Sequence, residues 1–320
     1  MATDRTAPGG EDPAPQRILV IRLGALGDFI LSMGAFAAIR GAHIGARIVL
    51  LTTRPYADLA KASPYFDEIW IDDRPRPWQL GKWLELRARL KSAGFDRVYD
   101  LQTSDRSGFY FRLLGPGPRP AWSGIAPGCS HPHANPCRDF MHTLDRQAEQ
   151  LRMAGIGAVP APDLGWLTAD LSRFRLPPRY FLLVPGGAPH RPAKRWPPAR
   201  FAELARAVAA RGRAPVVIGA AAERELGAAI AAAEPAVRDL TGATGLADVA
   251  ALARGADGAL GNDTGPMHLI AAVGTPVLVL FSRESDPDLC APRGPNVSIL
   301  RVDDLGTLDL DAVLERLRFR

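Results

Sequence analysis

The stretch GALGNDTGPMHLIAAVGTPVLVLF, residues 258–281, decides how this chain is read. A short apolar run ends at Gly261, Asn262-Asp263-Thr264-Gly265 supply turn chemistry, and Pro266 sits at a first-turn position that needs no N–H. The pattern predicts a strand over 258–262, a helix over 266–273 and a buried strand over 276–281. That order makes a βαβ unit, and hence a parallel sheet. Thr264 falls near the N-cap, and the free amides of 265–268 point out of the helix start, a site suited to a diphosphate. His268 on the first turn could reach the same anion or a sugar hydroxyl. A plain capped turn with a core-facing histidine is the competing reading.

The same rhythm runs through the rest of the chain. Behind the turn lie YFLLVPGG (180–187), helices over 198–211, 221–233 and 246–254, strands over 214–220 and 237–240, and a closing helix over 308–318. In front lie strands over 17–23, 47–53, 68–72 and 97–102, with helices over 28–40 and 79–93. Residues 115–137 break the alternation and read as nearly all turn, before a helix over 142–154 and a linker-like GIGAVPAPDLGWL. The expected fold is α/β, with two Rossmann-like doubly wound domains facing a central cleft. The expected divisions are a disordered tail over 1–16, a first domain over 17–165, a linker over 166–179, a second domain over 180–305 and a last helix over 306–320.

Bulk properties narrow the classes. The 320 residues are 47% hydrophobic with a net charge of +5, which permits an anionic substrate or membrane surface and is too weak to argue for nucleic acid. Three cysteines cannot complete a disulfide framework, and nothing resembles a signal peptide or an apolar run of about 20 residues. The chain reads as cytoplasmic.

Two further stretches carry chemistry. VPGGAPHRPAKRWPPARF (184–201) runs from a strand into Gly186-Gly187, which let backbone approach a ligand, and then to Lys194, a positive charge for phosphate. A solvated basic loop anchored by Trp196 is the bland alternative. IRLGALGDFI (21–30) holds Gly24 and Gly27 in a G-x-x-G pattern, not the G-x-G-x-x-G of dinucleotide binders. Asp28 then opens a helix, where an acidic residue ordinarily complements the macrodipole.

Together the stretches ILVIRLGALGDFILSMGAFAAIR, VPGGAPHRPAKRWPPARFAEL and LGNDTGPMHLIAAVGTPVLVLF resemble glycosyltransferase family 9, the heptosyltransferases of lipopolysaccharide inner core. The resemblance spans about residues 17–282 and keeps the motifs in the family's order. It implies a GT-B fold with the acceptor on the first domain and an ADP-linked heptose donor on the second. It also implies inversion at the anomeric carbon with no metal and no cofactor. On that basis Asp28 is the expected general base and Lys194 a stabiliser of the leaving diphosphate. Gly186, Gly187, Glu223, Asp263, Thr264, Gly265 and His268 are the expected donor contacts, Glu223 on the nucleotide ribose. Gly27 and Arg22, with Arg106 and Arg112 of DLQTSDRSGFYFRLLG (100–115), are the expected acceptor contacts. The expected partners are a nucleotide sugar, an anionic lipid-linked glycan and, transiently, the cytoplasmic face of the inner membrane. A nucleotide-sugar or glycan binder without turnover, and a transferase of another sugar or acceptor, are the rival readings. The cluster CSHPHANPC, with Cys129, His131, His133 and Cys137, matches no common zinc spacing.

Overall fold

The computed structural model describes residues 16–188 and 190–320, so the tail read over 1–16 lies outside the described residues except for Gln16. All described strands pair in parallel, in two sheets. The first holds β1 (Arg17–Ile21), β2 (Arg47–Thr52), β3 (Glu68–Ile71), β4 (Arg97–Asp100), β5 (Ala121–Gly124) and β6 (His131–Pro132), in the order 3-2-1-4-5-6. The second holds β7 (Tyr180–Val184), β8 (Ala214–Val217), β9 (Arg238–Asp239), β10 (Ala259–Asn262), β11 (Val277–Phe281) and β12 (Val297–Arg301), in the order 12-11-10-7-8-9. The two windings are the same. Each sheet begins at a middle strand, grows one way, then returns and grows the other way. The reversal opens a crevice past the carboxyl ends of β1 and β4 in one sheet, and of β7 and β10 in the other.

Helices cover both faces, which is why runs such as RILVI and VLVLF are apolar throughout rather than alternating. The first half carries α1 (Leu26–Leu31), α2 (Met33–Ala42), α3 (Ala57–Ala62), α4 (Leu80–Ser92), α5 (Asp105–Leu113) and α6 (Thr143–Met153). The second carries α7 (Pro198–Ala209), α8 (Arg224–Ala233), α9 (Leu246–Gly255), α10 (Gly265–Ala272), α11 (Pro287–Cys290) and α12 (Leu310–Arg316).

Two local expectations are corrected, and one helix is added. The single helix expected over 28–40 is two, α1 and α2. They divide at Ser32, whose hydroxyl donates to the Asp28 carbonyl at 2.7 Å, a back-bond that bends helices. The segment 115–137 is not all loop, because β5 extends the sheet beyond β4 and buries Trp122 completely. Its four residues are too few for a periodicity to show. Helix α5 also went unread, although Ser104 and Ser107 close a reciprocal cap at its start.

The two halves are tied together by α6. The His142 Nε2–H donates to the Ala291 carbonyl at 2.9 Å, while Nδ1 accepts the Leu144 amide at 3.1 Å. The Thr143 hydroxyl donates to the Leu289 carbonyl, and Arg293 pairs with Asp145 at 2.8 Å. The linker-like stretch is packed too. Leu164 and Leu167 are buried, and the Arg254 guanidinium donates to both of their carbonyls. Helix α2 lies directly on this stretch, and a Cβ at Gly34 would collide with the Pro160 carbonyl oxygen.

Gly34→Ala should therefore lower stability by about 1–3 kcal/mol, the overpacking cost outweighing alanine's helix preference of about 1 kcal/mol. Gly41→Ala, on the same helix with nothing within 4 Å, should instead be neutral or raise it. Urea unfolding of the two variants checks the opposite signs.

Candidate active site

The front crevice is built by the turn after β1. Gly24 has a φ of +126°, a conformation that other residues rarely adopt, and a Cβ there would press on the Tyr56 ring. The turn delivers Asp28 to the first turn of α1 with 40% of its side chain open to solvent. Beneath it Arg22 is buried, with one guanidinium nitrogen 3.3 Å from Asp28 Oδ1 and another donating to the Leu101 carbonyl at 2.6 Å. Burial pulls the Arg22 pKa below its ordinary value, and the Asp28 charge opposes that pull. On the neighbouring strand Asp100 is fully buried, and its Oδ1 accepts the Gln102 and Thr103 amides at 3.1 and 3.0 Å. Its Oδ2 has no hydrogen-bond partner among the described residues, and desolvation pushes its pKa up to about 6.

The rear crevice is organised by Asn262 at the end of β10. Its side-chain oxygen accepts the Trp196 amide at 3.0 Å, and its nitrogen donates to the Pro185 and Gly186 carbonyls at 2.8 and 3.1 Å. One buried amide thus joins the Gly186-Gly187 loop, the Lys194-Arg195-Trp196 segment and the Asp263-Thr264 corner. Lys194 forms an ion pair with Asp263, and Asp263 also accepts the Ser285 hydroxyl at 2.7 Å. The Glu223 carboxylate accepts the Gly187 amide at 3.0 Å and the Ala220 amide at 2.8 Å. A Cβ at Gly186 would strike that carboxylate, so the glycine is needed for the close approach. The Thr264 side chain makes no capping bond and stays partly exposed at the start of α10.

The crevices meet where α1 touches α10. A Cβ at Gly27 would lie 2.8 Å from His268 Cδ2 and 2.9 Å from Nε2, and one at Gly265 would lie 2.6 Å from Leu26 Cβ. His268 is 6% exposed and its Nδ1 has no partner among the described residues. Desolvation lowers its pKa to about 4, against the charges of Asp263 and Asp28, while His142 and Lys194 lower it further. The ring therefore lies in the field of Asp28, Asp263 and Lys194 at once.

The expected residues separate accordingly. Asp28, Lys194, Asp263, Thr264, Gly265 and His268 converge, with Gly186, Gly187 and Glu223 on the adjoining loop. Arg22 is corrected from an acceptor contact to a buried support for Asp28. Gly27 stays partly exposed, with the His268 ring where its Cβ would be. Arg106 donates to the Pro75 carbonyl at 3.3 Å and lies over the Trp83 ring, away from this cluster. Arg112 is exposed in the last turn of α5. Helices in such folds run back from the strands' carboxyl ends, so that turn lies at the far edge of the sheet.

Other residues that were not anticipated lie near the cluster. Arg146 of α6 feels the Asp28 charge, and Arg138, near Arg146, donates to the Thr103 hydroxyl at 3.0 Å. Arg54 and Arg74 line a cavity of about 510 Å³ beside the Leu23-Gly24-Ala25 turn. No motif or periodicity in the sequence marked any of these. Cys290 also borders the cluster, and its thiol pKa is pushed up to about 11 by burial and by Asp263. Cys129 is buried, Cys137 is exposed, and His133 bonds Glu149 at 3.2 Å. Among the described residues no group of three or more His, Cys, Asp or Glu could hold a metal ion.

The depressed His268 pKa fixes the sign of a pH effect. The unfolded chain takes up this proton as pH falls below about 6.5, and the native state resists it until about 4. The stability from His268 is thus present above about 6.5 and lost between those values. The same burial lowers His43, His133 and His142, so the comparison must be with a variant. His268→Asn should flatten part of the fall in urea midpoint between neutral and mildly acidic pH.

Comparison with known proteins gives the family and the fold. Residues 83–311 match the model of glycosyltransferase family 9 (heptosyltransferase). The chain is 26% identical to lipopolysaccharide heptosyltransferase 2 of Escherichia coli K12, over 89% of this chain and 88% of that one. It is 28% identical to lipopolysaccharide heptosyltransferase 1 of Pseudomonas aeruginosa, over 83% and 78%. The solved ADP-heptose lipopolysaccharide heptosyltransferase II of E. coli superposes with a TM-score of 0.77 at 24% identity, covering 94% of this chain and 97% of that one. A family 9 glycosyl transferase of Veillonella parvula gives 0.81 at 20%, over 94% and 95%. The fold is GT-B, as expected. The chain belongs to glycosyltransferase family 9, the heptosyltransferase family, and is a glycosyltransferase.

Proposed function

We propose that this enzyme transfers a heptose from ADP-heptose to a lipopolysaccharide-core or related glycan acceptor, inverting the anomeric carbon and using no metal. The names of its relatives suggest the sugar, its nucleotide and the acceptor class. The observation that carries the chemistry is the part-open Asp28 carboxylate, which shares one electrostatic field with Lys194 and Asp263 across the α1–α10 contact. In this reading residues 17–165 hold the acceptor and 180–305 the donor.

The acceptor hydroxyl attacks C1 from the face opposite the diphosphate, and its proton passes to Asp28. The C1–oxygen bond to the diphosphate breaks, and its electron pair leaves with the phosphate. Lys194, the Thr264 hydroxyl and the amides that open α10 meet the new negative charge. Asp263 keeps Lys194 in place before the donor arrives. Arg22 holds the Asp28 carboxylate toward the cleft. Arg146, Arg54 and Arg74 offer positive charge to an anionic acceptor. Among the described residues no helix is long and apolar enough to cross a membrane, and the enzyme would meet a lipid-linked acceptor at the membrane's cytoplasmic face. A binder without turnover has no use for an open carboxylate in this position.

Asp28→Asn should cut heptose transfer by about 10²–10⁴-fold while ADP affinity by calorimetry stays unchanged. Full transfer by Asp28→Asn, or nucleotide binding with no turnover in either form, would sink the reading. A thermal-shift panel of ADP, UDP, GDP and CDP checks the nucleotide, the expected outcome being a selective rise with ADP.

A further inference from the structure

Helix α4 leaves two leucines exposed among its charged residues. Its inner face packs Leu90 against the first sheet, whereas Leu80 and Leu84, one turn apart, are 70% and 65% exposed. Trp78, just before the helix, is 71% exposed, and Phe109 of α5 faces the same way at 40%. Three of the seven large hydrophobic side chains exposed among the described residues thus line one groove, with Trp78 next to it in the chain, and such clustering marks a contact surface rather than scattered surface apolarity. Leu80, Leu84 and Phe109 line an apolar groove of about 630 Å³ between α4 and α5, and Trp78 follows Pro77 of its lining. In the groove the Trp83 indole donates to the Arg76 carbonyl at 3.0 Å and meets Phe109 edge-on at 5.1 Å.

Charge identifies the occupant. Residues 74–91 contain six basic side chains and one acidic, so this segment's net +5 equals that of the whole chain. Arg76 lies over the Trp78 ring, Arg87 lines the groove and Lys82 the cleft beside it. Asp105 is the acidic residue in the groove, and Glu85 faces the adjoining cleft with Asp72 and Asp73. A second copy of the chain, docked about a two-fold axis, would set this charge against itself. A bilayer rich in anionic phospholipid supplies both complements, headgroups for the basic rim and hydrocarbon for Trp78, Leu80 and Leu84.

We propose that the α4–α5 face, with Trp78 at its edge, is the surface by which this enzyme docks on an anionic phospholipid bilayer. The surface continues into the proposed acceptor side, since Arg106 of the groove bonds the Pro75 carbonyl next to the cavity lined by Arg74. The proposal deepens the membrane contact suggested above, but vesicle binding requires neither donor nor Asp28, so the two readings can fail separately.

Flotation with vesicles of phosphatidylcholine, with and without phosphatidylglycerol, tests it on the full chain. Wild type should partition onto the anionic vesicles about tenfold more than onto neutral ones, and raised salt should reduce the difference. Trp78→Ser with Leu84→Ser should lose about tenfold of that partition, as should Lys82→Glu with Arg76→Glu. Ile44→Ser, which removes a 92% exposed side chain elsewhere, should bind like wild type. Unchanged circular dichroism and unchanged transfer to a lipid-free acceptor would show that the variants remain folded. No vesicle binding by wild type, equal binding to both vesicle types, or full binding by the Trp78/Leu84 variant overturns the proposal. Size-exclusion chromatography that shows a dimer lost in that variant, without vesicle binding, would assign the face to self-association instead.

Discussion

Two helices from two different sheets begin within contact distance of each other, and glycine is what permits it. Gly27 leaves room for the His268 ring, and Gly265 leaves room for Leu26. A side chain at either position would push α1 from α10 and separate the two crevices that the strand order creates. Everything attributed to the site depends on that approach, because Asp28 comes from one half and Lys194, Asp263 and Thr264 from the other. Helix α6 holds the same relation from the side, through His142, Thr143 and Asp145 on the 286–293 segment.

The electrostatics follow from the crowding. Asp28 is backed by a buried arginine, and Lys194 is held by a carboxylate that a serine hydroxyl also fixes. Between these pairs a histidine is stripped of water and kept neutral at physiological pH. Such fixed, partly dry charges cost little to reorganise as charge develops, which is the condition for electrostatic stabilisation. Asn262 contributes no charge. Its amide nevertheless fixes three segments of the second half against one another, and a buried amide with all these bonds made is costly to replace.

Much of this was legible in the chain itself. Apolar runs bounded by glycine announced the buried parallel strands, and the ordered motifs around Asp28, Lys194 and Asp263 announced the family. Short or reciprocal signals were not legible. The four residues of β5 are too brief for a period, and the cap of α5 is serine with serine rather than serine with glutamate. The 28–40 helix looked continuous because a hydroxyl bonding back to a carbonyl leaves the hydrophobic pattern intact.

The sequence by itself determined the alternation of strands and helices, and which turns carry aspartate, lysine and threonine, because these follow from local periodicity and turn chemistry. Only the tertiary structure decided which arginines face the site. Arg22 went under Asp28 and Arg112 to the far edge, while Arg146 arrived from a helix more than a hundred residues along the chain. The physical reason is that a charge's role depends on what it is buried against, and burial is set by contacts between residues remote in sequence.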